Sequence, residues 1–134
     1  MIETSSLNVT LATLHPVTFI YHIASRPDWE QAQRDGRYTT STRGVSLAEQ
    51  GFIHASTATQ VPGVAGAVYR DAPDLVLLVI EAERVGSPIR YEAPPGEDQR
   101  YPHIYGPLNP DAVVETRPFP LSARNTPPEP PAPA

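Results

Sequence analysis

The sequence predicts an α+β fold: a bent or split antiparallel sheet, two small sheets in all, carrying a few short helices. Three observations lead there. Strands and helices alternate through the first half, and strands dominate the second. Two segments, residues 17–24 and 74–81, are apolar on both faces, as strands covered on both sides must be. No glycine-rich turn follows either segment, which argues against a doubly wound nucleotide fold.

Residues 17–24 form the first expected strand, interrupted by the polar His22. Ser25-Arg26-Pro27-Asp28-Trp29-Glu30 then opens a helix, because proline suits a first turn and acidic side chains suit the positive end of the helix dipole. Trp29, Ala32 and Gln33 supply its inward edge, and Gly36 ends it. Tyr38 starts a short extended piece. Ser46-Leu47-Ala48-Glu49 has the spacing of a capping box, and Gly51 closes that one-turn helix.

The centre of the chain runs from Gly51 to Gln60. At the two-residue period of a strand, Phe52, His54 and Ser56 share one face. Thr57 and Gln60 form a second capping box for a helix carrying Val61, Val64, Ala65 and Val68 on one side. Pro62 lies too far from Thr57 for the tolerated first turn, so the helix either starts later or kinks there. Residues 74–81 are the expected central strand. Gly86-Ser87-Pro88 turns the chain into Ile89-Arg90-Tyr91-Glu92, a shorter strand on which Arg90 and Glu92 read as a surface pair. Residues 112–116 and 118–121 read as closing strands.

The 134 residues suit one domain of ordinary size. Residues 1–16 read as a partly ordered leader, 17–122 as a single α+β domain, and 123–134 as a proline-rich tail that cannot bury enough to order itself. With no cysteine, disulfides, thiolate nucleophiles and cysteine-held zinc are excluded. A net charge of -5 without a basic patch argues against a nucleic-acid partner. The longest apolar run, residues 75–80, is too short to span a bilayer, and no secretory signal is recognisable. The expected location is the cytoplasm.

Chemistry concentrates at His22, His54 and His103. Taken singly, each reads equally well as a satisfied histidine tying strands together. Their company suggests more, since hydroxyls or phenols flank each one: Tyr21; Ser56 and Thr57; Tyr101 and Tyr105. Uncharged ligand pockets are often furnished this way. The expected catalytic set is therefore His22, His54 and His103, with Tyr21, Ile23, Ser56, Thr57, Gln60, Glu92 and Tyr105 lining a ligand site.

Two blocks, Gly51-Phe52-Ile53-His54-Ala55-Ser56-Thr57 and Pro102-His103-Ile104-Tyr105-Gly106-Pro107-Leu108, together with Tyr21-His22-Ile23-Ala24, resemble the bacterial domain-of-unknown-function family 952. The resemblance spans roughly residues 18–121. Ala55 stands where cysteine is frequent in that family, which removes a thiol mechanism. That family is remotely similar to the ADP-ribosyltransferase fold, in particular to the RNA 2′-phosphotransferases. The similarity implies NAD held in a cleft between two small sheets, with His22 on the adenosine ribose and His54 beside the nicotinamide ribose. A late-strand glutamate often completes such sites; here Glu92, or His103 with Tyr105, is the counterpart.

Three readings remain open from sequence. The first is an NAD-dependent ADP-ribosyl or phosphotransferase-like enzyme that takes a small nucleotide-like ligand and needs no metal. The second is a non-enzymatic ligand-binding or interaction module whose proline tail meets a protein partner. The third is a metal site built from His22, His54 and His103.

Overall fold

The computed structural model describes residues 17–132; the expected leader, 1–16, and the last two residues of the tail lie outside the described residues. The first sheet has β1 (Phe19–Ser25) and β8 (Val113–Pro118) on either side of β5 (Leu75–Glu81), all antiparallel. β1 and β5 are apolar on both faces because a core lies on each side. Ile20, Ala24, Val76, Leu78 and Ile80 pack into one cluster, and Tyr21, Ile23, Leu75, Leu77 and Val79 into the other.

A second antiparallel sheet is ordered β4 (Ile53–His54), β7 (Tyr101–Ile104), β6 (Ile89–Glu92). The split sheet of the expectation is therefore present, and a third, two-stranded sheet joins it: β2 (Thr40–Thr42) with β3 (Val45–Ser46). The first two sheets touch where Tyr21 and Ser56 exchange backbone hydrogen bonds, both 2.8 Å. The expected strand through Phe52, His54 and Ser56 is thus divided. Its first part pairs with β7, and Ser56 crosses to β1.

Helix α1 (Arg26–Asp35) starts at Ser25, whose Oγ accepts the Asp28 N–H at 3.2 Å, and ends at Gly36 with φ 77°. Trp29 and Ala32 face the core as expected, whereas Gln33 is exposed. Helix α2 (Leu47–Gln50) has the complete Ser46–Glu49 capping box. Thr57 caps only a 3-10 turn, Ala58–Gln60, and α3 (Val61–Val68) begins after it. Pro62 therefore falls in the first turn of α3, where its missing N–H is harmless. Val61 and Ala65 press this helix onto the sheet.

One closing strand, β8, replaces the two expected, because residues after Pro118 turn away into the 3-10 turn Leu121–Ala123. Arg124 is buried, and its guanidinium donates to the carbonyls of Phe119, Tyr69 and Ala72 at 3.1, 2.9 and 2.8 Å. Among the described residues, no helix is long and apolar enough to cross a membrane.

Candidate functional site

The antiparallel register of β4 and β7 sets His54 directly opposite His103. Their rings are 5.5 Å apart between centroids. Phe52, two residues before His54 and so on the same face, stacks on His103 with centroids 3.9 Å apart and planes 14° from parallel. These three rings line an open cavity of about 520 Å³, with Glu92 and Pro94 from β6 and its following loop and Ser41 from β2.

Glu92 organises the polar wall. His103 Nδ1–H donates to Glu92 Oε1 at 2.9 Å, and the Tyr105 hydroxyl donates to the same oxygen at 2.6 Å. Those bonds, Tyr105 first, hold the Glu92 carboxyl below the usual carboxylate range, and the carboxylate pushes the Tyr105 phenol up. The surface pair expected between Arg90 and Glu92 is not formed. Arg90 lies over the Tyr105 ring, 4.8 Å from its centroid, leaving Glu92 to the site.

Burial, reinforced by the neighbouring His103, lowers the His54 pKa to about 4, so this imidazole is neutral at physiological pH. Ser41 is fully buried, and its Oγ is the one buried side-chain polar atom among the described residues without a hydrogen-bond partner. An unmet hydroxyl in the lining of a cavity is the feature a ligand can satisfy.

The other expected site residues lie elsewhere. His22 is buried and does not line the cavity: Nδ1 is 2.6 Å from the His54 carbonyl oxygen and Nε2 is 2.8 Å from the Tyr38 hydroxyl. Burial also lowers its pKa to about 4. With both nitrogens committed inside the protein, His22 cannot join His54 and His103 around an ion. No group of three or more His, Cys, Asp or Glu among the described residues is placed to hold a metal. The three-histidine metal reading is corrected accordingly.

Tyr21 and Ile23 sit in the core beneath α3. Ser56 links the two sheets. Thr57 offers its N–H to Gln60 Oε1 at 2.9 Å, and Gln60 Nε2 reaches the Arg100 carbonyl at 2.6 Å, so this pair braces the loop before β7. The sequence reading missed Phe52, Ser41 and Tyr38 as site or supporting residues. Strand alternation does place Phe52 beside His54; nothing local marks Ser41 or Tyr38.

Chemically, the wall presents one imidazole oriented by a carboxylate, a second neutral imidazole, and an aromatic shelf. A carboxylate on Nδ1–H fixes the His103 tautomer with Nε2 as a proton acceptor. That is an acid–base arrangement.

The profile described as "Protein of unknown function (DUF952)" matches residues 23–116. The crystal structure of protein CC0527 from Caulobacter crescentus is 36% identical, covering 82% of this chain and 93% of its own, with a TM-score of 0.70. The same protein as a double mutant gives a TM-score of 0.69 at the same identity and coverage. Its solution NMR structure is 37% identical over 73% of this chain and 81% of its own, with a TM-score of 0.61. No curated protein matches the chain. None of these relatives carries a stated activity, and none is an ADP-ribosyltransferase by name. The profile match covers most of the chain, and this chain belongs to the DUF952 family.

Proposed function

We propose that the chain acts on a nucleotide of the NAD type, admitting the nicotinamide-ribose end to the His54–His103 cavity and using His103 for proton transfer. The observation that carries this reading is the contact of Glu92 Oε1 with both His103 Nδ1 (2.9 Å) and Tyr105 Oη (2.6 Å), beside a neutral His54 in the lining of an open hollow. The cavity lining contains Glu92 and no lysine or arginine, which suits a cationic aromatic ring and gives phosphates nothing to pair with. Ribosyl transfer is therefore favoured over phosphoryl transfer.

Bound NAD supplies a glycosidic bond whose leaving group is neutral nicotinamide. The chain supplies the rest. Phe52 and Pro94 give the cavity an apolar wall. The Glu92 carboxylate stabilises positive charge developing on the sugar, the role anticipated for a late-strand acid. His103 Nε2 takes the proton of an incoming hydroxyl while Glu92 holds its ring.

Titration of the protein with NAD, followed through histidine NMR signals, tests this reading. The His54 and His103 resonances shift at millimolar NAD, and nicotinamide accumulates. His103→Gln keeps the shift at His54 and slows release by ~10²–10⁴-fold, the usual weight of a general acid–base group. Silence of both resonances at several millimolar NAD overturns the reading.

A further inference from the structure

A second hollow, of about 390 Å³, opens between the start of α1 and the β2–β3 turn and shares only Thr42 with the imidazole cavity. Its lining is apolar and aromatic at the base, with Ile23, Leu75 and the phenols of Tyr38 and Tyr69, and it carries Asp28, Asp74 and Arg43 as charged groups. The charges do not cancel within the hollow. Asp74 is bound to Arg26, Nε to Oδ1 at 2.8 Å, and Arg43 is bound to Asp71 at 2.9 Å. Among the described residues no cation pairs with Asp28, an exposed carboxylate in the first turn of α1 that lines the hollow beside two buried rings.

We propose that this hollow is a binding site for an organic cation: a primary ammonium or guanidinium group on an apolar or aromatic body. The Asp28 carboxylate takes the charge through a hydrogen-bonded ion pair. Tyr38 and Tyr69 offer the electron-rich rings that attract cations, and Ile23 and Leu75 take the apolar stem. The phenol hydroxyls are held back, Tyr38 by His22 (2.8 Å) and Tyr69 by Thr42 Oγ1 (3.2 Å), so they present rings more than free donors. Burial raises both phenol pKa values, and the charge of Asp28 adds a smaller increase at each, while Arg43 acts the other way on Tyr69. An anion is disfavoured, because the guanidinium of Arg43 is already committed to Asp71 and to the Val68 carbonyl at 3.1 Å. The site is independent of the NAD reading, which concerns the other cavity.

Benzylammonium, benzyl alcohol and benzoate, matched in shape and different in charge, test it by amide NMR titration of the full chain. Benzylammonium is expected to shift Thr42, Gly44, Tyr69 and Leu75 with millimolar affinity. Benzyl alcohol binds at least ~10-fold more weakly and benzoate not at all, the discrimination a hydrogen-bonded charge gives. Asp28→Asn lowers benzylammonium affinity by a similar factor, and added salt lowers it in the native protein. His103→Gln leaves it unchanged, which separates this site from the imidazole cavity. Equal binding of the alcohol, preference for benzoate, or shifts confined to Phe52, His54 and Glu92 would each overturn the proposal.

Discussion

The imidazole of His22 ties the two main sheets together through the backbone of His54. Its Nδ1 lies 2.6 Å from that carbonyl oxygen, so Nδ1 carries the hydrogen and donates. Nε2 must then accept from the Tyr38 hydroxyl, 2.8 Å away. A neutral histidine satisfies both partners at once, with Nδ1 donating and Nε2 accepting. Burial lowers its pKa to about 4, and the hydrogen bond to the His54 carbonyl opposes that shift without overcoming it.

His22→Phe keeps the volume and removes both bonds. The His54 carbonyl and the Tyr38 hydroxyl lose their partners in the interior, and the variant should be less stable by about 2–4 kcal/mol in urea unfolding. Adding Tyr38→Phe removes the orphaned hydroxyl, so the double variant should be less destabilised than the sum of the two single ones. A change within about 0.5 kcal/mol for His22→Phe would mean that the tie carries no weight.

Stability should fall with acid earlier than carboxylate titration alone would bring. His22 and His54 both have native pKa values lowered to about 4, against an unfolded value near 6.5. Above 6.5 both states hold these rings neutral, and full stability is present. Between 6.5 and about 4 the unfolded chain takes up protons that the native protein refuses, so unfolding becomes easier. Each ring contributes a slope approaching about 1.4 kcal/mol per pH unit. Urea midpoints from pH 7.5 to 5 should show this slope in the native protein and about half of it in His22→Phe. A flat profile over that window would refute the assignment.

The sheets were legible because their signals are local. Apolar runs on both faces marked β1 and β5, and Pro27, the Ser46–Glu49 capping box, Gly36 and Gly51 marked where helices start and stop. His54 and His103 were found because their flanking residues are themselves patterned. The division of labour between histidines was not legible. Whether His22 faces a ligand or a neighbour's carbonyl depends on the crossing of Ser56 from one sheet to the other, which no local periodicity encodes. Tyr38 and Ser41 depend on the same long-range meeting. The Pro62 conflict, by contrast, disappears once the Thr57 box caps a 3-10 turn rather than the helix.

Ser41→Ala should act in opposite directions on stability and on binding. The buried Ser41 hydroxyl has no partner, so its removal relieves an unmet desolvation, and the free protein should be as stable or up to about 1 kcal/mol more stable. If the ligand of the imidazole cavity meets that hydroxyl, NAD affinity should fall about 10-fold. Calorimetric melting of the free protein and an NAD titration measure the two effects separately. A marked loss of stability would show that the hydroxyl is satisfied after all, and the ligand argument from Ser41 would lapse.

Arg124 should matter far more than the prolines that follow it. Its guanidinium closes three carbonyls, and those of Tyr69 and Ala72 lie at and just beyond the end of α3, where a cation also meets the negative end of the helix dipole. Arg124→Met keeps the apolar stem and leaves the three carbonyls unmet, so it should destabilise by about 2–4 kcal/mol. Lysine should recover only part of this, because one ammonium cannot reproduce the planar fork that reaches three oxygens. Truncation separates anchor from tail. Chains ending at Arg124 and at Ala123 should differ in urea midpoint by nearly the whole Arg124→Met effect, whereas ending at Arg124 should remain close to the full chain. Equal stability of the two truncated chains would show that the three hydrogen bonds do not hold the end of α3.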